Sequence, residues 1–460
     1  MDVLGLAVIN LADQIVRSQS AREAMPSRGL SDPGACCAVR TMGLASTVHQ
    51  EGRRPRPIGA APSNQDASMS KTMRAIGLMS GTSMDGIDVA LIETDGEVRL
   101  HRGPANTVGY PQEFRGALTQ AIAEARLLSD RRARPGCLRE VERRLTERHA
   151  DAVAQFLAKH GLSAAEIDVI GFHGQTVLHK AVGDTGTIVD PPKAVLDPPS
   201  GGPVMQSCAF TVQLGDGPLL ARRTGIDVIY DLRAADAAAG GEGAPLAPVY
   251  HRALAAKLPD RPIAILNIGG VANVTWIGRC GELIAFDTGP GNALIDDWMQ
   301  RHHGSPHDEG GALASRGRVN DDRVRQYLRH AYFGAPPPKS LDRNAFALAL
   351  VDPLAPEDGA ATLTAFTAAS IAAARAHFPE QPQLWVISGG GRRNRTLMAM
   401  IAERVENAVI PAEAAGMDGD AVEAQAWAYL AVRSLKGLPI TFPGTTGVPK
   451  PLTGGVLAKA

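Results

Sequence analysis

Two stretches of this chain, far apart in sequence, share one plan: an apolar run, a short turn of glycine and small polar residues, and a second apolar run. The first covers Ala75 to Val98, AIGLMSGTSMDGIDVALIETDGEV, where Ile76–Met79 and Val89–Ile92 flank Ser80, Gly81, Thr82, Ser83, Asp85, Gly86 and Asp88. The second is Ile263 to Ile277, IAILNIGGVANVTWI, with Asn267, Gly269, Gly270 and Asn273 between its apolar arms. Each predicts strand, glycine turn, strand. Small residues let backbone N–H groups approach an anion, the hydroxyls of Ser80, Thr82 and Ser83 add donors, and Asp85 or Asp88 is placed to hold a hydrated metal cation against phosphates. One such loop alone is equally an ordinary solvated turn. Its recurrence predicts two related lobes, each offering a loop to one cleft, the place where small-molecule sites concentrate.

Composition narrows the partner. A chain of 460 residues has room for two or three domains. Lys plus Arg (47) nearly cancels Asp plus Glu (48), which argues against a nucleic-acid or anionic-membrane partner and leaves a small molecule. With 44% hydrophobic residues, only 4% aromatic, and 49 glycines, the composition suits an alanine-rich α/β enzyme. The five cysteines (Cys36, Cys37, Cys137, Cys208, Cys280) form no CxxC pair or regular framework, which fits a reduced cytoplasm. No apolar run reaches the roughly 18 residues that a membrane helix needs. From Arg17 to Lys71 the chain is rich in Ser, Arg, Pro, Gly and Ala without a period. Residues 1–72 are therefore expected to be a disordered leader or a mis-assigned start, with Met73 a natural beginning.

Taken in order, the rest predicts alternating helices and strands. Phe114, Leu118 and Ile122, then Leu138 to Leu157, recur at helical spacing, with a break near Pro135 and Gly136. Ile167–Phe172 is a short buried strand expected to end at His173, Gly174, Gln175 and Thr176, where an open α/β sheet exposes its ligand site. His173 is as well explained as a satisfied structural imidazole. Lys180–Ser207 is proline- and glycine-rich and reads as an insertion; Thr211 onward reads as strand, turn, short helix, strand. Arg222, Arg223 and Arg233 face either an anion or solvent, and the loop GGEGAPLAP (Gly240–Pro248) carries Glu242. In IAFDTGPGN a strand end delivers Asp287 into a Gly/Pro loop before a helix. A carboxylate there serves as a general base if partly desolvated, or as a helix cap. His302, His303, His307, Asp308 and Glu309 match no zinc spacing and read as a solvated loop. PPPKSLDRNAF (Pro336–Phe346) is an exposed turn with possible ligand contacts at Lys339, Asp342 and Arg343. After the strand Leu384–Ile387, Gly389, Gly390 and Gly391 open a helix, suiting close approach of a nucleotide with Asn394 at hand. The final helix, Val422–Lys436, reads as scaffold packed on the first lobe.

There is no GxxxxGK[ST], and neither GPGNAL nor GGGRRN matches a dinucleotide fingerprint. Two α/β lobes with a phosphate hairpin apiece resemble the superfamily of actin, sugar kinases and heat-shock chaperone ATPases. Within it, the chain from about Met73 onward closely resembles the anhydro-N-acetylmuramic acid kinases, through GLMSGTSMDGID (Gly77–Asp88), GFHGQT (Gly171–Thr176), TVQLGD (Thr211–Asp216), GGEGAPLAP, LNIGGVANV (Leu266–Val274), FDTGPGN (Phe286–Asn292), PPKSLDRN (Pro337–Asn344), SGGGRRN (Ser388–Asn394) and PLTGG (Pro451–Gly455).

The resemblance implies an α/β, two-lobed actin-like ATPase (sugar kinase) fold, with ribonuclease H-like lobes around a nucleotide cleft. The first lobe would be 73–230 plus 420–460, with the 180–207 insertion, and the second 231–419. It implies a cytoplasmic enzyme of peptidoglycan recycling that uses ATP, Mg²⁺ and water to convert 1,6-anhydro-N-acetylmuramic acid into N-acetylmuramic acid 6-phosphate. Asp287 would be the catalytic base. Gly81, Thr82, Ser83, Met84, Asp85, Gly86, Ile87 and Asp88 would line the ATP phosphates, with Asp85 toward the metal. Asn267, Gly269 and Gly270 would supply the second loop; Gly389, Gly390, Gly391 and Asn394 would lie by the adenosine. His173, Gln175, Arg233 and Glu242 would stand on the sugar side, and a homodimer is suggested. The chain departs from the family in its leader, in the 180–207 insertion, and in DLRAAD (Asp231–Asp236), which keeps Arg233 as its only arginine where the family is often arginine-rich. The alternatives are a kinase for another sugar and a non-enzymatic nucleotide switch.

Overall fold

A computed structural model describes residues 71–81, 84–180, 209–258, 261–343 and 345–460. The leader up to residue 70, the insertion, Thr82, Ser83 and Asn344 lie outside the described residues. Seven strands form one sheet: β1 (Met73–Ser80), β2 (Gly86–Thr94), β3 (Leu100–Gly109), β4 (Val169–Lys180), β5 (Phe210–Leu214), β6 (Val228–Tyr230) and β12 (Val456–Ala458), in the order β12-β6-β4-β1-β2-β3, with β5 on β4. Five form the other: β7 (Ile263–Ile268), β8 (Val271–Ile277), β9 (Leu283–Pro290), β10 (Leu384–Ser388) and β11 (Ala408–Pro411), in the order β11-β10-β7-β8-β9.

The two sheets repeat one topology. β1–β2–β3 is an antiparallel meander, and β4 and β6 add parallel to β1. β7–β8–β9 is the same meander, with β10 and β11 added parallel to β7. This is the duplicated ribonuclease H-like plan of the actin-like fold. The inner strands are apolar on both faces, as parallel strands covered on both sides must be: Ile76, Leu78, Ile170, Ile265 and Val386 are all buried.

The helix Val422–Leu435 lies across β1 and β4, and two glycines permit it. Gly77 and Gly171 are register partners on those strands. A Cβ on Gly77 would sit 1.7 Å from the carbonyl oxygen of Ala424, and one on Gly171 2.0 Å from that of Trp427. Helix backbone thus rests directly on sheet backbone, and Trp427 is held over the first half of β4, against Gly171 and His173.

Two strand ends differ from the sequence expectation. β4 does not stop before His173 but runs to Lys180, because Thr176–Lys180 pair with β5. Asp287 is not in the loop: β9 continues to Pro290, and Asp287 faces Asn273 of β8 in register. His302 and His303 close the helix Ala293–His303, and among the described residues no group of three or more His, Cys, Asp or Glu is placed to hold a metal ion. Nor, among them, is any helix long and apolar enough to cross a membrane.

Candidate active site

The two hairpins converge on Glu423, at the start of the helix laid on Gly77 and Gly171. Asn267, at the end of β7, donates from Nδ2 to Glu423 Oε1 at 3.0 Å. The Glu423 carboxyl is pushed up first by burial and then by nearby Asp88 of the first hairpin, while Arg233 and Asn267 pull it down. Asp88 is itself raised, chiefly by burial, although Thr107 Oγ1 donates to its Oδ1 at 2.6 Å. A Cβ on Gly389 (φ +74°) would stand 2.4 Å from Asn267 Oδ1, so only glycine fits where the SGGG turn meets β7. The residues read as nucleotide-facing are therefore drawn together from β1–β2, β7–β8 and the turn after β10. Their individual roles differ. Gly81 and Met84 (φ +56°) form a tight turn, the Met84 N–H donating to the Gly81 carbonyl, with Asp85 exposed at the tip. Gly86 lies against the Val108 carbonyl, and the Ile87 side chain is in the core, so these two offer only backbone. A Cβ added to Gly269 or Gly270 would meet nothing closer than 3.7 Å, which leaves that turn open to a ligand. Gly390 is similarly open, whereas a Cβ on Gly391 would strike Ile268. Asn394 caps the helix Arg395–Val405, accepting from Leu397 N at 2.9 Å, which commits its side-chain oxygen to the fold.

Beside this convergence lies a cavity of about 180 Å³ lined by Met79, Arg233, Asn273, Asp287, Glu423 and Trp427, among others. Asp287 is held from three directions. Its N–H donates to the Lys339 carbonyl (3.1 Å), Tyr332 donates its hydroxyl hydrogen to the Asp287 carbonyl (2.5 Å), and the Leu341 amide donates to Oδ2 (2.8 Å). Its pKa is pushed up to about 7 from an ordinary 3.8, first by burial and further by the Glu242 carboxylate, against the pull of the Leu341 amide. Oδ1 takes no hydrogen bond among the described residues. A carboxylate fixed through one oxygen, on a cavity wall and with a pKa near neutrality, is suited to accept a proton.

The loop carrying PPKSLDRN is thus not merely exposed. Lys339 lines the cavity, donates to the Tyr332 carbonyl at 2.9 Å, and has its pKa lowered to about 8 by burial. Arg233 lines the cavity too, donating to the Gly243 carbonyl (2.9 Å) and to His173 Nε2 (3.1 Å), with its guanidinium 5.3 Å from the Trp427 ring centroid. The His173 ring packs tilted by 31° against Trp427, centroids 4.5 Å apart, and burial holds its pKa well below the usual imidazole range. Gln175 does not line the cavity: fully buried, it accepts from Ser80 Oγ (2.6 Å) and donates to the Gly81 carbonyl (3.2 Å), bracing the first hairpin. Tyr110 extends that chain by donating to Ser80 Oγ at 2.9 Å. The final helix is more than scaffold, since Glu423, Ala426, Trp427 and Leu430 form one wall. Sequence reasoning missed Asn273, Tyr332, Glu423 and Trp427 as site residues. Only Asn273 carried a signal, its place in the second glycine hairpin.

The family model for anhydro-N-acetylmuramic acid kinase matches residues 73–191 and 202–460. A protein of that name from Methylobacterium nodulans is 51% identical over 398 residues, covering 84% of this chain and 100% of its own. Others of that name, from Rhizobium etli (51%, covering 84% and 98%) and Nitrobacter winogradskyi (50%, covering 84% and 100%), match similarly. Among solved structures, a ligand-bound xylulose kinase from Lactobacillus acidophilus matches 79% of this chain and 89% of its own, at a TM-score of 0.40 and 10% identity. The motifs that build the cleft, from the first glycine hairpin to PLTGG, lie within the matched residues, and the chain belongs to the anhydro-N-acetylmuramic acid kinase family.

Proposed function

We propose that this chain is an ATP-dependent kinase that opens the 1,6-anhydro ring of 1,6-anhydro-N-acetylmuramic acid with water and phosphorylates O6, giving N-acetylmuramic acid 6-phosphate and ADP in cell-wall recycling. The observation that carries this reading is Asp287, a carboxylate pinned through one oxygen, raised to about 7, and set on the cavity wall. Asp287 takes a proton from water as the water oxygen bonds to the anomeric carbon. The bond from that carbon to O6 breaks, O6 attacks the γ-phosphorus, and the bridging oxygen leaves with ADP. An ordinary glycosidase needs a second carboxyl to protonate its leaving oxygen, whereas here the phosphoryl group captures it.

The phosphates would rest on the backbone of the two hairpins, between a lobe of residues 73–230 plus 420–460 and one of 231–419. Mg²⁺ commonly takes one or two carboxylates and completes its shell with water and phosphate, which suits the exposed Asp85 with Asp88 behind it. Bound there, it would neutralise charge on the transferred phosphoryl group. Action as a homodimer in the bacterial cytoplasm belongs to the same reading. A plain sugar kinase needs no water-activating base, and a nucleotide switch needs no sugar pocket. The test is ADP release by the full chain with Mg-ATP, with and without the anhydro sugar, and the mass of the product. Sugar-dependent turnover to a product heavier by one water and one phosphoryl group is expected; sugar-independent hydrolysis, or phosphorylation without water, would overturn it.

A further inference from the structure

Asp287 is gripped by one excursion of the chain, and a single side chain ties that excursion to itself. One arm is the 3₁₀ turn Ala331–Gly334, whose Tyr332 hydroxyl donates to the Asp287 carbonyl. The other runs from Lys339, whose carbonyl accepts from the Asp287 N–H, to Leu341, whose amide donates to Oδ2. Pro336, Pro337 and Pro338 join the two arms. Proline has no N–H, so this connection adds no backbone donor that could hold them together. A lone 3₁₀ turn is weak by itself and leaves carbonyls at its end to be met from outside.

The Lys339 ammonium meets them. It donates to the Tyr332 carbonyl at 2.9 Å, to the Phe333 carbonyl at 3.4 Å and to His377 Nε2 at 3.3 Å. An ammonium can only donate, so His377 accepts as the neutral imidazole, and it bonds the Phe333 backbone in turn. Nζ also stands 4.7 Å from the Tyr332 ring centroid and 5.6 Å from that of Phe286, the residue before Asp287 on β9. The contacts thus join the turn, the segment ending at His377 and the strand that carries the base. Burying an ammonium is costly, and the cost is visible in a pKa lowered to about 8. An apolar side chain of the same length would avoid it, but would leave two carbonyls and an imidazole nitrogen without this donor.

We infer that Lys339 is the positioning residue for the base: its ammonium ties the Tyr332 turn to the Leu341 loop and so holds the Asp287 carboxyl in one orientation and out of water. This rests on the kinase reading above, with Asp287 as the base. The role is exerted through Tyr332 and Leu341, and requires no contact between Nζ and the sugar or a phosphate. Loss of the ammonium leaves the cleft complete but lets water reach Asp287. Burial is the largest of the effects on that carboxyl and raises its pKa, while the Leu341 amide opposes it, so loosening the clamp lowers the pKa.

The experiment is a mutant cycle on the full chain, reading kcat, KM for each substrate and the acid limb of kcat/KM for the anhydro sugar. Lys339→Met should lower kcat about tenfold to a hundredfold, leave both KM values within about twofold, and move the acid limb down by about half a pH unit or more. Lys339→Arg, which keeps a cation able to reach the same carbonyls, should recover most of the rate. Tyr332→Phe removes one hydroxyl and keeps the ring, so it reads the clamp even where Lys339→Met folds poorly. It should shift the acid limb in the same direction, and the double variant should lose little more than Lys339→Met alone, because both changes open one clamp. A raised KM with kcat kept would make Lys339 a substrate contact, and an unmoved acid limb or multiplied losses in the double variant would make it plain scaffold. Any of these overturns the assignment while leaving the kinase reading standing. If wild type shows no sugar-dependent turnover, or Asp287→Asn matches it, the kinase reading is what fails.

Discussion

The third strand of each sheet occupies the same place in the shared topology, yet β3 and β9 have opposite characters. β3 is an outer strand with half its residues exposed, while β9 is buried along most of its length. The cover makes the difference: the helices Pro248–Ala255 and Pro356–Ala373 pack on β9, and the loop through Lys339 and Leu341 closes over Asp287. Burial of that kind converts a carboxylate that would be fully ionised at neutral pH into one that exchanges a proton there. The turns differ in the same sense. Five residues link β1 to β2, braced from below by Gln175, whereas Gly269 and Gly270 alone link β7 to β8. Their carbonyls accept from Gly291 (2.9 Å), Asn292 (2.7 Å) and Ala293 (3.2 Å), clamping the end of the Asp287 strand to the hairpin. The repeated topology sets the frame, and asymmetric covering raises the pKa of a carboxyl on the third strand of one sheet.

The contrast is broken most severely by Asp287→Asn, which retains an acceptor for the Leu341 amide but cannot take a proton. Turnover of the anhydro sugar should fall about a hundred- to ten-thousandfold. Stability should move the other way. The folded carboxyl keeps its proton to about pH 7 and the unfolded one to about 3.8, so this group's contribution is full below about pH 3.8 and is lost as pH rises through 7. The melting temperature of the Asn variant relative to wild type should therefore climb between about pH 4 and pH 8, measured by scanning calorimetry.

Glycines sharpen the comparison next. Gly171→Ala drives a Cβ into helix backbone and should cost about 3 kcal/mol in denaturant unfolding. Gly270→Ala meets nothing nearer than 3.8 Å, so stability should stay within about 0.5 kcal/mol while KM for ATP rises. Equal destabilisation by the two would erase the distinction between a packing glycine in one sheet and a ligand-facing glycine in the other. In the wild type, kcat/KM for the sugar should decline as pH falls through about 7, the window set by Asp287. The smallest effect is expected from Gln175→Leu, which strands the Ser80 hydroxyl and loosens the first hairpin. KM for ATP should rise severalfold, by a loss of about 1 kcal/mol, with the acid limb of the pH profile unmoved.

Both glycine hairpins, the helices between Pro111 and His160 and the strand Leu384–Ser388 were legible because each is a local pattern: apolar runs between turn formers, or apolar residues at helical spacing. Asp287 was legible as a choice between base and cap, and its environment favours the base. What the sequence does not display is contact between distant segments. Tyr332 and Leu341 act through a hydroxyl and a backbone N–H on Asp287, and no local pattern marks either. Trp427 looked like one more apolar residue on a helix, since the glycines that bring that helix to the site lie hundreds of positions earlier. Gln175 was expected at the ligand site because β4 was expected to end, and on the sugar side by the family resemblance; continued pairing with β5 and a left-handed Gly174 (φ +72°) carry its amide inward instead.

The helix seated on Gly77 and Gly171 has a consequence for biosynthesis. All five strands of the second sheet lie between Ile263 and Pro411, so a ribosome delivers that sheet whole before it releases Val422–Leu435. The first sheet begins with the earliest described strand yet waits for β12 to complete its edge at β6, and for this helix before β1 and β4 are covered and their paired glycines meet the backbone that fits them. Domains usually mature in the order they are made. In this protein the sheet whose strands emerge first is finished last, and the wall of the Asp287 cavity formed by Glu423, Ala426, Trp427 and Leu430 is set in place only after the second sheet is complete.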